Sequence, residues 1–276
     1  MPMKTANFRE RMALAAVLAV TILASFRNTD AGIKDHRPLP LLEGINSQAS
    51  TMLISYNQRN MIGRLTRIQR ASEDTYTDVR IPVYKNGRLA STLVSGHANG
   101  EDSEIFSSFE YTVNYPLVAK IHYYTQGQVQ GYDSLVYNAE AQIIARYFYS
   151  RKADNTFENH NYQHYTWNSE GNVIRLDNYG RNREGNSFEL GSAVTYTYDR
   201  NPNPQKQVTD LCYITDIMPA FLSANNILTE EINYAGATGK HLNTYSYEYN
   251  AAQYPVSITA HYSLDGLSET TQLSYK

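Results

Sequence analysis

The sequence predicts an all-β fold, built of consecutive antiparallel hairpins in one long coiled sheet, and three features carry that prediction. An aromatic–Asn/Asp–turn unit recurs along the chain, alternation with a period of two flanks most copies, and there are 24 tyrosines against 8 Phe and 1 Trp. Tyrosine suits half-buried strands, because its ring packs while its hydroxyl reaches a polar partner. The unit is plainest in Tyr165 to Leu176, where Tyr165 and Trp167 point to one face, Asn168-Ser-Glu-Gly171 turns the chain, and a second strand starts at Asn172.

In chain order, the first thing to set aside is the N-terminus. Lys4, Arg9 and Arg11 precede an apolar run from Met12 to Phe26, the pattern of a secretory signal peptide, with Ala24 and Ala31 both open as cleavage points and an uncleaved anchor as the alternative. Residues 1–31 are therefore read as signal peptide and 32–48, with Pro38 and Pro40, as a flexible leader. Residues 49–276 are read as a single repeat-built β domain. Leu53 to Asn57 and Arg64 to Arg70 give the first hairpin. In Ile81 to Leu89 the pair Asn86-Gly87 is a type I′ turn signal, and Pro82 marks an edge or an irregular start.

Phe109 to Tyr124 follows, with Val118, Lys120, His122 and Tyr124 expected on one face and Ile121 and Tyr123 on the other. Next come Leu135 to Asn138 with Ile143 to Tyr149, then the Trp167 copy, then Val194 to Asp199. Tyr245 to Asn250 leads into Val256 to Tyr262, and Gln272 to Tyr275 begins an eighth copy. The key aromatics are Tyr56, Tyr84, Tyr111, Tyr137, Trp167, Tyr198, Tyr249 and Tyr275, with steps of 28, 27, 26, 30, 31, 51 and 26 residues. Such a period is expected of about two hairpins, or four short strands, per repeat. The long step holds an apolar stretch without alternation, Val208 to Ile232. There Asp216 is placed to cap a short helix, Pro219 to sit in its first turn and Asn225-Asn226 to end it. This insertion is expected to cover an open edge or face of the sheet, or to dock a partner.

Trp167-Asn-Ser-Glu-Gly-Asn-Val173 and Tyr84-Lys-Asn-Gly-Arg-Leu89 resemble the YD (Tyr-Asp) repeats of Rhs-type proteins. The degenerate spacing, the signal peptide and the ending Tyr247-Glu-Tyr-Asn-Ala-Ala-Gln-Tyr-Pro-Val-Ser-Ile258 are similar to exported domains of unknown function from the Bacteroidetes. The resemblance spans roughly residues 50–276, and only Tyr198-Asp199 keeps the literal pair. It implies a long coiled antiparallel sheet, too short here to enclose a cargo domain, and carries over no catalytic residue.

Composition narrows the functions. Residues 1–31 hold Lys4, Arg9, Arg11 and Arg27 against Glu10 and Asp30, so their removal takes the formal charge from −3 to −5. A mildly acidic chain is a poor ligand for nucleic acid. The single cysteine, Cys212, lies far from the apolar run, which argues against a direct lipid anchor. It allows no intramolecular disulfide and reads as a buried structural thiol. No nucleophile elbow, zincin, P-loop or dinucleotide motif is present, and His160 and His164, four apart, stand about 13 Å apart on a strand. No catalytic residue, cofactor or metal site is assigned. Binding has better material, and Tyr165, Trp167, Tyr196, Tyr198 and Tyr247 are the candidate ligand-binding residues, their alternative role being core. The expected function is an exported, non-enzymatic binding or scaffolding protein for a glycan or a protein. The alternatives are a periplasmic carrier holding an apolar ligand in a half-barrel under the insertion, or a polysaccharide-degrading enzyme; oligomeric state is left open.

Overall fold

The computed structural model describes residues 40–276, apart from residues 72, 73, 114, 115, 183 and 186. The signal-peptide reading and the leader up to Leu39 lie outside the described residues. Sixteen strands pair in sequence order, and the first pairs with the last, so the sheet closes into a barrel. The strands are β1 (Leu42–Asn46), β2 (Ser50–Tyr56), β3 (Ile62–Ala71), β4 (Asp74–Lys85), β5 (Arg88–Ser95), β6 (Glu104–Tyr111), β7 (Val118–Thr125) and β8 (Gln128–Tyr137). They continue as β9 (Ile143–Arg151), β10 (Phe157–Trp167), β11 (Val173–Arg181), β12 (Phe188–Pro202), β13 (Asn225–Tyr234), β14 (His241–Tyr249), β15 (Pro255–His261) and β16 (Ser268–Tyr275).

The antiparallel all-β expectation holds, but the sheet is closed rather than open. An open sheet of this length would leave two edges of unpaired backbone groups, and pairing β1 with β16 removes both. β1 lies inside the segment read as flexible leader, so the ordered domain begins before Ser50. Each repeat is one hairpin of two strands, not two hairpins: eight repeat aromatics serve sixteen strands. The eighth hairpin is split between the chain ends, with Tyr275 of β16 paired to Leu42 of β1.

The recurring motif has a single structural meaning. Each key aromatic lies at or near the end of a strand and pairs with the first apolar residue of the next: Tyr56 with Ile62, Tyr84 with Leu89, Tyr111 with Val118, Tyr137 with Ile143 and Trp167 with Val173. The series continues with Tyr198 and Ile227, Tyr249 and Pro255, and Tyr275 and Leu42. One residue beyond each pair the register slips by a β-bulge, which turns both partners inward. The bulge corrects the simple alternation expected for Phe109 to Tyr124, because Val118 shares the inner face with Ile121 and Tyr123 while Lys120, His122 and Tyr124 face out.

Six of the eight aromatics then donate to a carbonyl of the preceding unit. Tyr56 Oη reaches Leu42 O at 2.5 Å, Tyr111 reaches Leu89 O at 2.9 Å, and Tyr137 reaches Val118 O at 2.8 Å. Trp167 Nε1 reaches Ile143 O at 2.8 Å, Tyr198 reaches Val173 O at 2.5 Å, and Tyr275 reaches Pro255 O at 2.5 Å. The Asn that follows the aromatic folds the turn. Asn57, Asn138, Asn168 and Asn250 each accept two backbone N–H groups with Oδ1, from the second and fourth residues onward. Asp199 does the same across the long insertion, accepting from Asn201 N and Asn226 N.

At Asn86-Gly87 both residues have positive φ, 53° and 75°, as a type I′ turn requires. Pro82 is in neither an edge strand nor a strand start. It pairs with Thr92 of β5, and the β3–β4 register ends at Arg80, so no neighbour needs the missing N–H.

The apolar insertion is shorter than expected, since β13 already starts at Asn225. Residues 203–224 hold three single-turn helices, α1 (Pro204–Gln207), α2 (Leu211–Ile214) and α3 (Pro219–Leu222). Pro219 does open a helix, but Met218, not Asp216, occupies its N-cap. With no sheet edge to cover, the insertion packs into the barrel. Val208, Leu211 and Ile214 join the cluster of Leu42, Ile54, Ile62, Leu65 and Leu89, while Ile217 and Leu222 join that of Val118, Ile121, Ile143, Val173 and Val194. Sixteen strands enclose more space than wall side chains alone can fill, and the helices together with the inward tyrosines occupy it.

The fourth turn position tests this account. It is left-handed in four repeats whatever residue stands there: Asn60, Ala141, Gly171 and Gln253 have φ of 56°, 60°, 81° and 64°. A Cβ in that conformation costs about 1 kcal/mol or more outside glycine. Ala141→Gly is therefore expected to raise unfolding stability by about 0.5–1 kcal/mol, and Gly171→Ala to lower it by about 1 kcal/mol. Denaturant titration of the two variants measures both signs.

Candidate functional site

The lumen is zoned by the same register. At the end that carries the motif turns, the inward positions are the aromatics and their apolar partners. Further along, the inward stripe becomes polar. Arg146 Nε lies 2.9 Å from Asp133 Oδ2 and its Nη1 lies 2.6 Å from Asp216 Oδ1, while Tyr123 Oη donates to Asp133 at 2.6 Å. Asp216 thus ties the insertion to the wall instead of capping a helix. Burial raises the Asp133 carboxyl above its ordinary range, and Arg146, the nearest countercharge, offsets only part of that effect. A second cluster, Asp78 with Arg67 and Arg80, sits on β3 and β4, and the Arg80 guanidinium lies 3.4 Å over the Phe106 ring.

Between the helical insertion and the wall formed by β13 to β16 and β1 lies a cavity of about 350 Å³. Ile45, Ile227, Ile258, Ala260 and Leu273 make its apolar surface, and Met218 and Ala220 close it from the insertion side. Its polar groups include Asn226 and Glu230 of β13, Tyr245 and Tyr247 of β14, Tyr262 just beyond β15 and Thr271 of β16. Glu230 Oε2 accepts from Tyr245 Oη at 2.6 Å and from Asn243 Nδ2 at 3.4 Å. Burial raises the Tyr245 and Tyr247 phenols well above their usual range; the Glu230 charge adds to the effect at Tyr245, and Asp199 adds most to it at Tyr247. Both rings therefore act as neutral hydrogen-bond donors. An apolar cavity with a few convergent polar groups is the usual form of a small-molecule site.

The five sequence-predicted binding residues all face inward. Tyr165 is 1% exposed and donates to Ile217 O at 3.1 Å; Trp167 and Tyr198 hold the preceding hairpins as described. Tyr196 is buried in the same cluster, and Tyr247, which donates to Ile227 O at 2.6 Å, is the one of the five that lines the cavity. Glu230, Tyr245 and Tyr262 were not singled out from sequence. The available signal was a carboxylate at an inward position of β13 between Ile227 and Ile232, a stripe otherwise apolar.

Outside the barrel, aromatic rings form a different arrangement. Tyr132 stacks on Tyr149 with centroids 4.5 Å apart, and Tyr147, Tyr162 and Tyr179 form a ladder across β9, β10 and β11 at 5.3 and 4.5 Å. Their faces are spent on one another, as cross-strand pairs use them. Cys212 packs against the core and burial pushes its thiol up to about 12, which keeps it protonated and unreactive at neutral pH. Among the described residues no group of three or more His, Cys, Asp or Glu is arranged to hold a metal ion.

Asp78 gives a pH test. Burial raises its pKa, but the hydrogen bonds and charges of Arg80 and Arg67 outweigh burial and leave it below the usual aspartate range. A carboxyl lowered on folding stabilises the fold above its unfolded pKa of about 3.9, and that contribution fades as pH falls through the folded value. The stability difference between the parent and Asp78→Asn should be largest near pH 7 and shrink below about pH 4. Urea midpoints measured across that range check it.

No protein-family model and no curated protein matches the chain. Among solved structures, a porin-like protein from Bacteroides uniformis aligns with a TM-score of 0.54 at 11% identity, over 85% of this chain and 96% of that one. A porin-like protein from Bacteroides vulgatus aligns with a TM-score of 0.43 at 10% identity, over 86% and 99%. A TcdB2-TccC3-Cdc42 structure aligns with a TM-score of 0.30 at 10% identity, over 82% of this chain and 14% of that one. At 11% identity the first likeness concerns the fold: a closed antiparallel barrel.

Proposed function

We propose that the chain is an exported, non-enzymatic binding protein that holds a small apolar or amphipathic molecule inside a water-facing barrel. The observation that carries this reading is the cavity between the insertion and the β13–β1 wall, with apolar sides and polar groups from β13, β14 and β16. It favours the carrier alternative over glycan or protein binding, in a closed barrel rather than a half-barrel and with the insertion as internal plug. Export rests on the charged and apolar N-terminal pattern. The eight aromatic-headed hairpins, five of them with Asn or Asp after the aromatic, support kinship with YD repeats, here used to build a wall.

A membrane channel is the reading that the neighbours' porin-like names invite, and the outer surface speaks against it. Outward positions carry Ser246 and Glu248 on β14, Thr259 and His261 on β15, and Ser268, Thr270, Gln272 and Ser274 on β16. Lys120 and Glu110 pair outside β6 and β7 at 3.4 Å, and Arg175 pairs with Asp177 outside β11 at 2.8 Å. A lipid-facing band requires apolar outward residues, and each charge near the bilayer midplane costs roughly 2–4 kcal/mol. Outward charges and hydroxyls on these strands fit a barrel in water better than one in lipid.

Filling the cavity tests the proposal. Ala260 is 6% exposed on its wall, and Ala260→Trp puts an indole into the space. The parent should bind one equivalent of N-phenyl-1-naphthylamine with a fluorescence rise, and the folded variant should lose at least tenfold in affinity, about 1.4 kcal/mol. Equal binding by both, or stepwise conductance in planar bilayers, would overturn it.

A further inference from the structure

We infer that the cavity selects an organic cation, an amine or quaternary ammonium head on an apolar chain, with Glu230 as its counter-charge; this rests on the cavity being the binding site. Glu230 is an inward carboxylate whose neighbours among the described residues are neutral donors, Tyr245 and Asn243, and no Lys, Arg or His forms an ion pair with it there. Its charge is felt by five tyrosines, Tyr196, Tyr198, Tyr245, Tyr247 and Tyr262, of which the last three line the cavity.

The contrast with Asp78, Asp133 and Asp216 is informative. Asp133 and Asp216 both form ion pairs with Arg146, and Asp78 with Arg67 and Arg80. Of these four, Glu230 is the one that lines the cavity and forms no ion pair with a described side chain. A ligand cation in the cavity gives this carboxylate the charged partner that the protein's own side chains do not supply. The surrounding rings strengthen the choice, because the negative faces of aromatic rings attract ammonium groups and tolerate methylated ones that a carboxylate alone binds poorly. Met218, a polarisable side chain on the insertion side, and the isoleucines Ile45, Ile227 and Ile258 accept the apolar chain.

The test compares three probes of one chain length by isothermal titration calorimetry on the full chain: octyltrimethylammonium, 1-octanol and octanoate. Octyltrimethylammonium is expected to bind at least about tenfold more tightly than octanol, with octanoate weakest. Glu230→Gln should erase the advantage of the cation over octanol, and Tyr262→Leu should weaken the cation about fivefold. If octanol binds the parent as tightly as the cation, the selectivity inference fails while the carrier reading stands. If none of the three binds, the cavity reading itself fails. The parent comparison decides the matter even if a variant does not fold.

Discussion

The interaction on which the rest depends is the hydrogen bond from a strand-end aromatic back to the carbonyl of the preceding hairpin. It fixes the distance between successive hairpins, and the bulge beside it turns the aromatic and the first apolar residue of the next strand to the same inner face. A hairpin alone in water is marginal, so each unit is held by its neighbour on either side, and the array gains full stability only as a closed ring. Closure completes the pattern with no special device, since Tyr275 meets Leu42 in the register that Tyr56 uses with Ile62.

This arrangement also explains the tyrosine content. The ring must be large enough to fill a wide lumen, and it must carry a donor long enough to reach the backbone of the adjacent unit. Phenylalanine meets the first condition only, and Trp167 meets both through its indole nitrogen. The Asn or Asp that follows satisfies the turn's N–H groups, which explains why the aromatic–Asx pair recurs as a unit. Two repeats depart from the rule: Tyr84 Oη makes no such bond, and in the seventh repeat Tyr247 takes the carbonyl of Ile227 while Tyr249 is drawn to Asp199, the residue that bridges the inserted segment. The insertion has displaced the contact by one inward position without breaking the series.

The inserted helices make the site. A lumen packed all round by wall residues would have no room for a ligand, and one with no insertion would be a water-filled channel. By filling part of the space, residues 203–224 leave a bounded volume against β13 to β1, and the inward stripe of β13 sets Glu230 in it. The polar network of Arg146, Asp133 and Asp216 is how the insertion is oriented, since its three helices are each a single turn and have little stability of their own.

What the sequence determined by itself is local: the hairpins, their spacing through the eight aromatics, the Asn86-Gly87 turn and the place where the pattern is interrupted. These follow from side-chain period, turn chemistry and the conformational needs of single residues, which act within a few positions. What only the tertiary structure decided is closure, the sense of the inner face and the depth of the insertion. Closure pairs Leu42 with Tyr275 near opposite ends of the described chain, so Leu42–Asn46, within a segment read as leader, becomes a strand held between β16 and β2. The bulges reverse the simple alternation next to each motif, so that Val118 parts from Lys120 and His122. Tyr165, Trp167, Tyr196, Tyr198 and Tyr247 are legible as a row on one face, but whether that face meets solvent or core depends on which way the whole sheet curls.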